Sequence, residues 1–228
     1  MPRPVTAPAS RTQHAYDALR QELLDCKFEP GQPLRIQDLC KRLDVSQGAV
    51  REALSRLTSE GLVESEPQRG FRVTPVSAAD LKDLTNTRIQ IEQICLRQAI
   101  AQGDVQWEAR VLAAFHELSR TPPVEPGEPR RFSAGFVALH RSFFDVLVSG
   151  CRSFWLARLR QTLLLQDFRY YGRSPPPAAG ERNLITELRE LMQATIDRKA
   201  DRACALLNAH MSRTAEALIA QMEKSSRT

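Results

Sequence analysis

"DVSQGAVREALSRLTSEGLVESEPQRGFRV", residues 44–73, is the stretch whose reading decides the fold. Asp44-Val45-Ser46 is a tight polar turn, and Ser46 is placed to cap the helix that follows by accepting from its free backbone amides. Val50, Ala53, Leu54 and Leu57 then recur at +3, +4 and +7, the spacing of one buried helical face. Gly61 suits the end of that helix, because glycine enters the left-handed region without a Cβ penalty. Beyond it, "LVESEP", "QRG" and "FRVTPV" read as strand, tip and strand.

Upstream, a first helix is predicted from about Thr12 to Cys26, with Ala15, Leu19, Leu23 and Leu24 on one face. It stops at "KFEPGQPL", whose Pro-Gly and Pro punctuation cannot continue a helix. A short helix from about Ile36 to Leu43 follows, and residues 1–10, rich in Pro, Ala and Ser, read as a disordered leader. Three helices and a β-hairpin in this order make a winged helix-turn-helix over residues 11–76.

From Ser77 the pattern changes. Ser77-Ala78-Ala79-Asp80 approximates a capping box opening a long helix to about Gln102, and further helices are predicted over 105–119, 131–149, 152–171, 182–198 and 201–225. The Pro-rich breaks "TPPVEPGEP" and "SPPPAAG" separate them as loops, and no strand-like alternation is expected after residue 76. Residues 77–228 therefore read as an all-α unit and the whole chain as mostly α. The apolar seam of the long helix runs Leu81, Leu84, Arg88, Ile91, Ile94 and Cys95, so Arg88 interrupts an inward face. A guanidinium there needs an anion: Glu92 at (i, i+4), a carboxylate on another helix, or the carboxylate of a small ligand.

Composition sets limits and excludes some classes. The 228 residues carry 32 Lys+Arg against 27 Asp+Glu, a net +5 that permits a polyanionic partner without demanding one. Residues 1–76 hold 11 basic and 10 acidic side chains, so a basic surface must come from placement on a face. The five cysteines are scattered, with no CxxC and no Cys/His cluster, which predicts reduced, structural thiols in a cytoplasmic protein. No apolar run approaches the roughly 20 residues of a membrane span, no signal-peptide core is evident, and no Ser/His/Asp or Cys/His grouping suggests an enzyme.

"PGQPLRIQDLCKRLDVSQGAVREALSRLTSEGLVESEPQRGFRV" closely resembles the DNA-binding domain of the GntR regulator family, without a gap. "LTNTRIQIEQICLRQAI", "LHRSFFDVLVSGC" and "DRACALLNAHM" look like stretches of the FCD ligand-binding domain of its FadR subfamily. The resemblance implies a winged helix whose second HTH helix enters the major groove. Ser46, Gln47, Gly48 and Arg51 then lie nearest the DNA, with Arg69 and Gly70 at the wing tip. Arg51 is the candidate for reading a guanine, unless it pairs with Ser55 or Glu52 along its own helix. Arg56 and Lys41 lie between phosphate contact and plain solvated helix face. The family usually writes "V-S-R-T-P-V-R-E-A-L" where this chain has "VSQGAVREAL", so Gln47 stands for an Arg and an operator differing from the common one is expected.

For the C-terminal unit the resemblance implies an antiparallel helical bundle, a homodimer, a pseudo-palindromic double-stranded DNA operator and a small carboxylate effector. Ligand binding would shift the placement of the two winged helices and change operator affinity. Family members often hold a divalent metal with one Asp and three His. Here His140 and His210 stand at ligand positions, but the Asp position is Phe136 and a His position is Leu188, directly after Glu187. Two imidazoles beside two apolar groups suit neither a hard cation nor zinc, so no metal is expected. Arg88, His140 and His210 are instead the candidates for holding an anion directly, although each His also fits the reading of a hydrogen-bonded core histidine. His14 and His116 match nothing in the family. "GC-x-S-x-W-L…RYY" is similar to a proteobacterial subgroup that includes a repressor of γ-aminobutyrate and glutarate catabolism, which points to a dicarboxylate or hydroxy-dicarboxylate effector. That subgroup keeps more of the metal ligands. The reading is a repressor modulated by such an effector. The alternative is a DNA-tethered helical interaction module whose pocket senses nothing.

Overall fold

The computed structural model describes residues 11–125, 128–171 and 182–225. The leader expected over 1–10 and the loop expected at "SPPPAAG" lie outside the described residues. The chain divides into two compact units, Met1–Val76 and Ser77–Thr228.

In the first unit, α1 (Arg11–Leu24), α2 (Ile36–Leu43) and α3 (Gln47–Ser59) are joined by a three-stranded sheet of β1 (Pro33–Leu34), β2 (Val63–Glu66) and β3 (Gly70–Val73). The strand order is β1-β3-β2, all antiparallel, so the two residues of "PL" add an edge to the expected hairpin. Ala15, Leu19, Val50, Ala53, Leu54 and Leu57 are almost fully buried and form the core. The turn before α3 is made by Asp44 in the left-handed region (φ 51°), with Val45 tucked into the core as its anchor. At the other end of α3, Gly61 (φ 73°) donates to the Thr58 carbonyl and Leu62 donates to that of Leu57. This pair of bonds satisfies carbonyls that the helix end leaves free.

The second unit holds α4 (Ala78–Gln102), α5 (Val105–Arg120), α6 (Ala134–Val148), α7 (Phe154–Tyr171), α8 (Leu184–Ile196) and α9 (Ala200–Ser225). Helix α4 packs on α9, α7 and α6, and α5 packs on α6 and α8, around Cys95, Leu96, Ala99, Trp107, Phe143, Leu147, Leu188 and Leu207. Ser77 caps α4 by accepting from the Asp80 amide at 3.1 Å. The Asp80 carboxylate does not return to the cap. It accepts from Tyr170 and Arg169 of α7, so only half of the capping box forms.

Two expectations are corrected. The break "TPPVEPGEP" is not a plain loop: β4 (Val124–Glu125) pairs with β5 (Glu128–Phe132) as an antiparallel hairpin. Residues 131 and 132 are therefore strand, and α6 starts only at Ala134, behind Ser133 as N-cap. Proline removes amide donors and resists helix, but it tolerates the outer strand of a two-stranded ribbon. The α4 seam is also rotated from the expected one. Ile94 is 44% exposed, whereas Ile89 and Glu92 are buried, because the inner face must accommodate two buried ion pairs as well as α9.

Candidate DNA-reading face and effector cluster

The start of α3 is built by its cap. The Ser46 hydroxyl accepts from the Ala49 amide at 3.3 Å, which commits its oxygen to the helix. Gln47, Gly48 and Arg51 are all exposed on the first turns, and among the described residues Arg51 has neither an ion pair nor a hydrogen bond. The expected alternative, a pair with Ser55 or Glu52, does not form; Glu52 instead accepts from Thr12. Arg51 thus presents an unspent planar fork of donors beside the positive end of a helix, the combination that suits guanine edges and phosphates.

Arg56 is used differently. Its guanidinium stacks 3.8 Å from the Tyr16 ring centroid and donates to Gln13 at 3.0 Å. With Glu60 accepting from Tyr16 and Arg20, it docks α1 onto α3. Lys41 is exposed on α2. At the wing tip, Arg69 is exposed, and Gly70 has φ +93° with open space around its missing Cβ. Gly70 therefore serves the turn conformation and leaves room for an approaching backbone. The neighbouring wing cation, Arg72, is occupied by Glu64 and Glu66 at 2.7 and 2.8 Å.

In the second unit, His140 of α6 and His210 of α9 come together, with their Nε2 atoms 3.3 Å apart. Phe144 closes over both rings, at centroid distances of 4.9 and 5.5 Å. The hub of the cluster is Glu187, which the sequence reading placed only as a neighbour of the lost ligand. Its carboxylate accepts from Arg182 at 2.7 and 2.9 Å, from Arg213 at 2.9 Å and from His210 Nδ1 at 3.0 Å. Burial alone would raise its pKa, but these donors outweigh burial and hold it well below the usual carboxylate range. Arg182 Nη2 also lies 3.2 Å from His210 Nδ1, but its two hydrogens go to Glu187 and the His210 carbonyl. The acceptor-only carboxylate therefore assigns the His210 proton to Nδ1, so that Nε2 accepts and His140 Nε2 donates. Both imidazoles are held neutral. Burial, then His210, then Arg88 and Arg182 push His140 down to about 3, and burial lowers His210 as well.

Arg88 finds its anion on another helix, the second of the three options. Asp167 of α7 lies 2.5 Å away, with both side chains mostly buried. Glu92, the (i, i+4) option, is taken by Arg160, which makes two 2.9 Å bonds to it and a third, of 2.5 Å, to Asp145. Burial lifts the Asp167 carboxyl to about 6 even though Arg88 pulls the other way. Arg88 Nε and Asp167 Oδ1 are buried with no hydrogen-bond partner among the described residues.

The family's metal can be tested against these donors. Phe136 is 2% exposed and stacks on Phe132 at 5.5 Å, and Leu188 is fully buried in the core. Two neutral nitrogens facing each other, with the nearest carboxylate already shared among two arginines and His210, do not make an oxygen-rich or four-ligand site. Among the described residues no group of three or more His, Cys, Asp or Glu could hold a metal ion.

A winged helix with a free arginine at the head of its second HTH helix, carried on the same chain as a helical bundle, defines a DNA-binding regulator. The model described as bacterial regulatory proteins of the gntR family matches residues 11–73, and the FCD domain model matches residues 83–213, more than half of the chain. The chain belongs to the GntR family of transcriptional regulators, in its FCD-containing FadR subfamily, and is not an enzyme. It is 36% identical over 210 residues to the uncharacterised HTH-type transcriptional regulator BphR of Paraburkholderia xenovorans strain LB400, covering 92% of this chain and 86% of that one. It is 34% identical over 155 residues to the HTH-type transcriptional repressor GlaR of Escherichia coli K12, covering 68% and 70%. The solved structure of E. coli McbR/YncC matches in fold with a TM-score of 0.72 at 21% identity, over 93% of this chain and 99% of that one. No helix among the described residues is long and apolar enough to cross a membrane.

Proposed function

We propose that this chain is a cytoplasmic, homodimeric repressor that binds a pseudo-palindromic operator and is modulated by a small carboxylate, with a dicarboxylate favoured. The repressor reading is supported by the relative named as one. The effector reading rests on one observation: Arg88 keeps a buried, unpartnered Nε donor in a site whose charge also reaches His140. A buried donor without a partner loses free energy that a ligand oxygen would restore. Entry of a carboxylate would let Asp167, raised to about 6, take up a proton while Arg88 turns to the ligand. The neutral His140 would then turn its Nε2 proton from His210 to the ligand and donate without adding charge. No divalent metal takes part.

The second reading, a DNA-tethered interaction module, draws on the Asp167 partner that already neutralises Arg88. A thermal-shift panel of mono- and dicarboxylates on chelator-treated protein separates the two. The sensing reading predicts a hit that Arg88→Met abolishes, and a blank panel with effector-insensitive operator binding supports the module. Calorimetry with zinc, nickel or manganese should show no submicromolar site.

A further inference from the structure

Away from the histidine cluster, a groove of about 340 Å³ opens between α4, α6 and α7. Cys95 and Cys151 both line it, together with Arg160, Ser149 and Gln161. Cys95 sits in the middle of α4 and is 1% exposed, while Cys151 lies in the loop between α6 and α7 and is half-buried. Gly150 brings them together. A Cβ at Gly150 would lie 2.9 Å from the Cα and carbonyl oxygen of Ala99, so the loop backbone rests directly on α4, one turn beyond Cys95. Cys151 Sγ donates to Gln98 Oε1 at 3.1 Å, and Gln98 lies one turn of α4 beyond Cys95. The Gly150 contact and the Gln98 bond together hold the segment carrying Cys151 against the turn of α4 next to Cys95, and both cysteines line the same groove. One further group is unexplained: Arg160 Nη2 is buried without a hydrogen-bond partner among the described residues, although Glu92 and Asp145 use the other nitrogens of the same guanidinium.

We infer that Cys95 and Cys151 are a redox-active dithiol, a modification site that a small hydroperoxide reaches through this groove and converts to a disulfide. Cys151 is the more accessible sulfur and is oxidised first. Its sulfur, on losing its proton, bonds to one peroxide oxygen; the O–O bond breaks, the other oxygen leaves with a proton as alcohol or water, and Cys151 becomes a sulfenic acid. The Arg160 Nη2 donor would hold a peroxide oxygen during this step. Cys95 sulfur then bonds to Cys151 sulfur, the S–O bond breaks, and the departing hydroxide takes the Cys95 proton to become water. The dithiol has lost two electrons and the hydroperoxide has gained them. Burial first, and Cys151 next, push the Cys95 thiol up to about 12, so Cys95 does not begin the reaction with the hydroperoxide and reacts only with a sulfenic acid held beside it.

The site does not depend on the effector reading and is tested without DNA or ligand. Full-length protein is treated with tert-butyl hydroperoxide, denatured, alkylated and mapped by mass spectrometry. The expected result is a Cys95–Cys151 linked peptide and a fall from five alkylatable thiols to three. Cys95→Ala should accumulate a dimedone-trapped sulfenic acid at Cys151, whereas Cys151→Ala should leave Cys95 unmodified. Five alkylatable thiols after oxidant, linkage through other cysteines, or equal modification of Cys95 in Cys151→Ala protein would each overturn the inference. The wild-type map alone suffices if a variant fails to fold.

Discussion

Arg51 and Gln47 share the head of α3 but differ in what they can read. A guanidinium presents two parallel donors to guanine, whereas a carboxamide presents a donor and an acceptor that match adenine. Arg51→Ala should therefore weaken operator binding by about 1–3 kcal/mol, roughly 5- to 150-fold in Kd, in a fluorescence-anisotropy titration. Gln47→Arg should move selected half-sites toward guanine at one position. Unchanged selection from a random library would show that Gln47 touches no base. Among buried residues, His140 has the clearest pH signature. Its pKa is depressed from 6.5 to about 3 in the fold, so the neutral ring contributes stability that is complete above pH 6.5 and is lost as pH falls toward 3. In that window the unfolded chain takes up a proton that the folded chain refuses. Urea denaturation should find wild type losing up to about 1.4 kcal/mol per pH unit relative to His140→Phe. Parallel curves would place the titration elsewhere.

Helix ends and corners carry the next level of control. α3 is bounded by Ser46 at one end and Gly61 at the other, both legible because capping chemistry is local. The corner from α6 to α7 is different. Gly150 looks like an ordinary turn glycine, but its Cβ space is occupied by the backbone of α4. Gly150→Ala must push two main chains apart, and an overpacked contact of this kind costs about 1–3 kcal/mol. A drop in Tm of the full chain, with Gly48→Ala as a control on an exposed helical turn, checks it. The hairpin of β4 and β5 shows the converse limit. Its prolines correctly break the helix, yet pairing depends on a partner strand and not on local preference.

At the scale of the whole chain, a regulator reading a two-fold operator must present two winged helices. Sedimentation should give twice the 25.7 kDa chain mass, and footprinting should protect two half-sites about one helical turn apart. A monomer bound to a single half-site would contradict the dimer. The winged helix was legible because its determinants are short-range: Ser46, Gly61, Gly70 and the +3, +4, +7 spacing from Val50 all act within one or two turns of chain. Arg88 was legible as a charge needing an anion, and His140 and His210 as a pair. What the sequence determined by itself was thus the order of elements, their ends, the family and the residues that break the apolar pattern. Only the tertiary structure decided which groups meet: Asp167 with Arg88, Arg160 with Glu92, Glu187 with His210, and Cys95 with Cys151. Each of those pairs joins segments far apart in the chain, and burial makes the pairing matter, because a charge or donor removed from water must be matched by whatever the packing brings beside it.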